Sequence, residues 1–292
     1  MKSKHLPIIH PELLLAGIIA LRATSFIFSK MLLTELDTFN LLALRFLIAF
    51  SLLAILFHRR LSRITKKVVL AGMVIGMLFF LTMTCEMTAL KQADSSLVSL
   101  LENCSIILVP IVESVLLRRL MGRTEAVSAL IAMGGVFCLA IAQGHLTGGM
   151  TFGLLAALFY AFAIIVTGKF SRDVQDPLCI GIVQVGSLGV YALIAALVKG
   201  GFHFPQTGQQ WIYLAVLTIV CTGFGFTLQP VAQSRVSVER AGLFCAVSPA
   251  VATLLGVLVL HERMTPLSFL GLVLILFSIT FPYLQHKLLR KK

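Results

Sequence analysis

Four ionisable side chains of this 292-residue chain stand inside long apolar stretches: Arg22, Arg45, Glu86 and Glu102. In hydrocarbon each costs about 2.5 to 3.5 kcal/mol on insertion scales unless it is paired or faces water. Guanidinium and carboxyl groups at that depth either meet the charges of a solute and carry a proton, or pair with one another and hold helices together. A rise of 1.5 Å per residue puts Arg22 about halfway along its stretch, Glu102 roughly 10 Å below the end of its own and Glu86 roughly 6 Å below. Arg22 and Glu102 are therefore expected to share a polar site near mid-depth, with Glu86 on its outer wall. Arg45 is expected to be structural, and Glu113 to pair with Arg118 or Arg119.

Less costly polar residues extend this pattern. Ser95, Ser99, Glu102, Ile106, Pro110 and Glu113 recur at spacings of three or four and share one helical face. Thr218, Thr222, Gly225, Gln229 and Gln233 do the same further on. Thr222 and Gln229 join the candidate binding residues, although such stripes also serve ordinary helix packing. Tyr160, with Phe26 and Phe224, offers an aromatic surface. Pro110 and Pro249 each lack a backbone donor and free a carbonyl, which makes them candidate hinges or gates.

The elements that position these residues must be membrane helices. The chain is 58% hydrophobic and only 12% charged, with a mean hydropathy of +0.98, and that charge content is about half of what soluble domains carry. Apolar runs of about 20 residues, the length that crosses a bilayer, fall near 11–33, 38–57, 68–89, 95–117 and 124–143. A second five fall near 151–169, 177–198, 210–232, 239–260 and 266–285. Eighteen of the 24 Lys and Arg lie in the loops of one side and four in those of the other, which predicts both termini in the cytoplasm and an even number of crossings. Two sets of five must then enter from opposite sides, as inverted repeats over 1–145 and 146–292. Lys30 and Lys169 stand 139 residues apart, as do Pro110 and Pro249.

The stretches Leu41-Leu42-Ala43-Leu44-Arg45-Phe46, Thr222-Gly223-Phe224-Gly225-Phe226 and Ser248-Pro249-Ala250-Val251-Ala252, with the run Leu260-His261-Glu262-Arg263-Met264-Thr265, resemble the EamA family of the drug/metabolite transporter superfamily. The resemblance implies an all-α integral membrane protein of about ten helices in two EamA repeats. It also implies a central cavity through which amino acids, related metabolites or drugs pass, often outward, by alternating access. Two departures stand out: Arg22-Ala23 replaces the usual Trp-Gly, and Gly122-Arg123-Thr124 replaces Gly-Glu-Arg.

Other classes fit poorly. The net charge of +12 is dispersed in short clusters between apolar runs, which suits anionic lipid headgroups and not nucleic acid. The six cysteines are scattered without a C-x-x-C pair, so no metal or disulfide framework is expected. His261-Glu262 lacks the second histidine of a zinc-protease helix, because Thr265 stands there. No nucleotide-binding loop is present, so the expected partners are a small-molecule substrate, the bilayer and protons as a coupling ion, with no cofactor. A membrane-embedded lipid-modifying enzyme would need acids or histidines clustered at one interface; a passive channel would show unsaturable flux.

Overall fold

The computed structural model describes residues 11–116, 122–142, 148–174, 176–235, 247–262 and 264–289. Of Pro110, Glu113 and Pro249 only the backbone is described, and the 145/146 boundary and the start of the ninth stretch lie outside. Among the described residues all regular structure is helical. The first half comprises α1 (Pro11–Leu32), α2 (Thr38–Leu56), the short α3 (His58–Leu61), α4 (Lys66–Leu90), α5 (Ser95–Asn103), α6 (Ser105–Leu116) and α7 (Arg123–Ala142). The second comprises α8 (Gly148–Arg172), α9 (Pro177–Lys199), α10 (Gly208–Val216), a π-helical segment (Leu217–Phe226), α11 (Thr227–Gln233), α12 (Val247–Leu260) and α13 (Pro266–Leu289).

Among the described residues, five helical stretches are long and apolar enough to cross a membrane: α2, α4, α8, α9 and the continuous run Gly208–Gln233. Their 19 to 26 residues match the roughly 20 needed for about 30 Å of hydrocarbon. Caps set several of their ends: Asp37 accepts from the Phe39 amide, Thr65 from Val68, and Asp176 from Leu178 beside Pro177. The fourth apolar stretch is not one helix. It breaks at Cys104, where tight backbone bonds run from Cys104 to Leu101 and from Ile107 to Cys104, between α5 and α6. The break falls six residues before Pro110, the expected hinge.

Several helix pairings recur when the halves are exchanged. α2 lies on α9, α7 on α13, and α5 on α12. α4 packs on α8 as the π-segment packs on α1, and α5 on α8 as α12 on α1. Close approach depends on glycine: a Cβ on Gly186 or Gly189 of α9 would strike Phe50 or Leu47 of α2, and one on Gly72 or Gly76 of α4 would strike Val183 or Ser187. Large apolar side chains such as Ile55, Leu56, Phe137, Val198 and Phe224 point outward, as a lipid-facing surface requires.

Candidate functional site

Arg22 stands midway along α1, where α1 meets the π-segment and α11. Its guanidinium donates to Tyr160 Oη on α8 (3.0 Å) and to Gln229 Oε1 on α11 (2.6 Å). It lies over the Phe226 ring at 4.2 Å and near Tyr160 and Phe79 at 5.3 and 5.7 Å, so aromatic faces supply the negative potential that lipid cannot. A Cβ on Gly225 would sit 2.7 Å from Arg22 Cγ, which is why a glycine stands there.

Arg22, Glu86 from α4, and Glu102 and Asn103 from α5 line one cavity, with Ser25, Tyr160, Ser248 and the apolar Ile19, Phe26 and Met83. Its volume of about 20 Å³ holds roughly one water. Glu86 and Glu102 are both buried, and both line this cavity. Glu86 Oε1 and Glu102 Oε2 have no partner, and neither carboxylate lies within ion-pair distance of an arginine among the described residues. Arg22 and Glu102 line the same cavity without an ion pair between them; Arg22 spends its donors on neutral partners.

Thr222 lies outside this cavity. It accepts from Arg45 Nε at 2.6 Å, on a guanidinium that is fully buried and rests 5.8 Å from the Phe226 ring. Phe224 is exposed and faces outward. Sequence reasoning did not single out Asn103, Ser25 or Ser248.

The larger omission is Glu262. A cavity of about 880 Å³ at the Lys30 end of the bundle is lined by Lys30, Glu35, Asp94, Tyr213, His261 and Glu262, among others. At its floor Glu262 accepts from Ser95 N and Oγ (both 2.7 Å), from Ser96 N (3.3 Å) and Oγ (2.8 Å), and from Lys30 Nζ (3.0 Å). Asp94, the residue at the N-cap position of α5, makes no capping bond, so a carboxylate from the other half caps the helix instead. His261, in the left-handed region at φ 54°, turns the chain so that Glu262 reaches this place. Burial pushes the Glu262 carboxyl up, yet the bonds from Ser95 and Ser96 and the Lys30 charge hold it below the ordinary glutamate value.

One stripe of α5 joins the two cavities. Ser95 belongs to the Glu262 clamp, Ser99 touches Ser248 of α12 at 3.4 Å, and Glu102 lines the inner cavity. The clamp therefore lies about 10 Å, seven residues of rise, from the charged core.

A sequence profile of the EamA-like transporter family matches residues 11–141 and again 147–284. The chain belongs to the EamA-like transporter family. Two proteins of Archaeoglobus fulgidus, each described as an uncharacterized transporter, are similar to it. One is 27% identical over 68% of this chain and 70% of its own length; the other is 24% identical over 71% and 67%. A crystal structure with 18% sequence identity shares the fold, at a TM-score of 0.72 over 96% of this chain and 98% of its own. This EamA-like chain is thus a multi-pass membrane transporter with a small-molecule substrate.

Proposed function

We propose that the protein is a secondary transporter of amino acids or related zwitterions, with ten membrane crossings in two inverted five-helix halves and both termini in the cytoplasm. Outward movement across the cytoplasmic membrane follows from the family resemblance. The observation that carries this reading is that Arg22, Glu86 and Glu102 face one cavity without neutralising one another. A ligand carboxylate then meets Arg22 and a ligand ammonium meets the carboxyl pair, each charge finding its opposite away from water. Ile19, Phe26 and Met83 supply the apolar wall for a side chain.

In this topology the Lys30 end is external, and the 880 Å³ cavity is a vestibule closed at its floor by Glu262. Opening the clamp admits the outside, and opening the opposite end admits the cytoplasm; the backbone near Pro110 and Pro249 supplies the hinges. A site of about 20 Å³ behind a bonded clamp suits alternating access better than a continuous pore. The Glu86–Glu102 pair gains or loses a proton as the site fills and empties.

Thermal-shift screening of the purified protein against amino acids, amines, carboxylates and nucleosides tests the substrate class, because a bound ligand stabilises the fold by mass action. Zwitterions are expected to raise the unfolding temperature most. Stabilisation by nucleosides or simple amines alone would overturn the reading.

A further inference from the structure

Arg45 is a buried charge left largely unsatisfied among the described residues. It is fully buried, its Nε donates to Thr222, and both terminal nitrogens, Nη1 and Nη2, have no hydrogen-bond partner. A structural arginine inside a membrane protein is expected to hold a carboxylate or backbone carbonyls. No carboxylate lies within 4 Å of this one among the described residues.

Phe226 lies against both arginines. The same ring lies 4.2 Å from the Arg22 guanidinium and 5.8 Å from that of Arg45, with Phe46 and Phe79 against it edge-on. It closes the π-segment, whose wide turns are a frequent mark of functional sites and can re-register to ordinary helix. Thr222, in accepting from Arg45, keeps its own hydroxyl proton for another acceptor. Two guanidinium groups, from α1 and α2, thus lie against one aromatic ring, and neither is held by a carboxylate among the described residues.

We propose that Arg45 and Thr222 form a second, anion-binding subsite reached when Phe226 turns aside, and that the preferred substrates are zwitterions carrying one further carboxylate. Arg22 takes one carboxylate, Arg45 the other, and the Glu86–Glu102 pair the ammonium group. This rests on the zwitterion reading above and narrows it to acidic amino acids.

The test compares isosteric pairs, L-glutamate with L-glutamine and L-aspartate with L-asparagine, by ligand-dependent thermal shift on the full-length purified protein. The wild type is expected to favour the acid in each pair by about tenfold or more in apparent affinity. Arg45→Gln is expected to erase that preference, Arg45→Lys to restore part of it, and Thr222→Val to reduce it. Should Arg45→Gln fail to fold, Arg45→Lys and Thr222→Val decide, since both retain bulk at their sites. A wild type that favours the amide, or variants that keep the full acid preference, would overturn the subsite while leaving the zwitterion reading intact. Binding of none of the four would overturn both.

Discussion

Glu262 and Glu102 are carboxylates at the two ends of one polar stripe on α5, and their surroundings are opposite. Glu262 receives four bonds from the first turn of that helix and a fifth from Lys30, so both of its oxygens are used. Glu102 has an oxygen with no partner and shares its cavity with another carboxyl group, while the Arg22 guanidinium that lines the same cavity is turned to Tyr160 and Gln229. A carboxylate whose bonding capacity is full stabilises one conformation and offers little to a ligand. A buried one left short is stabilised most by whatever arrives to complete it. The first is suited to a lock and the second to a binding site, and the helix between them links opening to loading.

The largest effect is expected at the unfilled end. Arg22→Gln removes the cation that α1 presents to α8 and α11, a loss of about 3 to 5 kcal/mol for a buried charged partner. Initial rates of zwitterion counterflow in proteoliposomes should fall by about a hundredfold or more. A rate within a fewfold of wild type would erase the distinction between the two ends.

Glu262→Ala comes next. It strips bonds worth about 1.5 to 3 kcal/mol each where a charge takes part, and so favours the open vestibule. A cysteine placed at Ser99, beneath the clamp, should react with an impermeant thiol reagent about tenfold faster or more in this background. An unchanged rate would mean that Glu262 is no lock.

The pH response of the clamp is a smaller effect with a definite sign. Burial raises the Glu262 carboxyl, but the Ser95, Ser96 and Lys30 contacts outweigh it and lower the folded value below the ordinary 4.5. The clamp's contribution is therefore complete above that range and disappears as pH falls through the lowered value. Labelling at Ser99→Cys, corrected for thiol ionisation, should stay flat from about pH 8 to 5 and rise only in stronger acid. In Glu262→Gln the acid-side rise should be absent. The smallest effect belongs to Gly256→Ala, whose Cβ would come 2.5 Å from Glu262 Oε2 and 3.1 Å from Ser95 Oγ. Overpacking there costs about 1 to 3 kcal/mol, seen as a modest rise in the same labelling rate.

The helical class and five of the ten expected spans were legible in the sequence because hydropathy is local: α2, α4, α8, α9 and the run Gly208–Gln233 lie within a few residues of the runs read for them. The break at Cys104 was not, since a single tight turn leaves the hydropathy of 95–117 unchanged. In the site, the cost of burying charge singled out Arg22, Glu86 and Glu102, which line one cavity, and the spacing of Gln229 led to a residue bonded to Arg22. Glu262 escaped because its partners are 166 and 167 residues away in the chain and it looks locally like an ordinary loop acid. A usable signal existed in Ser95-Ser96 opening a helix behind an Asp94 that does not cap it, but the identity of the missing cap was not local. Arg45 was assigned a structural role on its position in a family-like stretch; its two unpartnered nitrogens emerge only from the fold.

The charged core is tested most directly by Glu102→Gln, which keeps the shape of the side chain and removes its charge. In proteoliposomes carrying an imposed pH gradient, uptake of a labelled zwitterion by this variant is expected to lose its dependence on the gradient entirely. Gradient-driven uptake at the wild-type rate would contradict the assignment of Glu102 to the site.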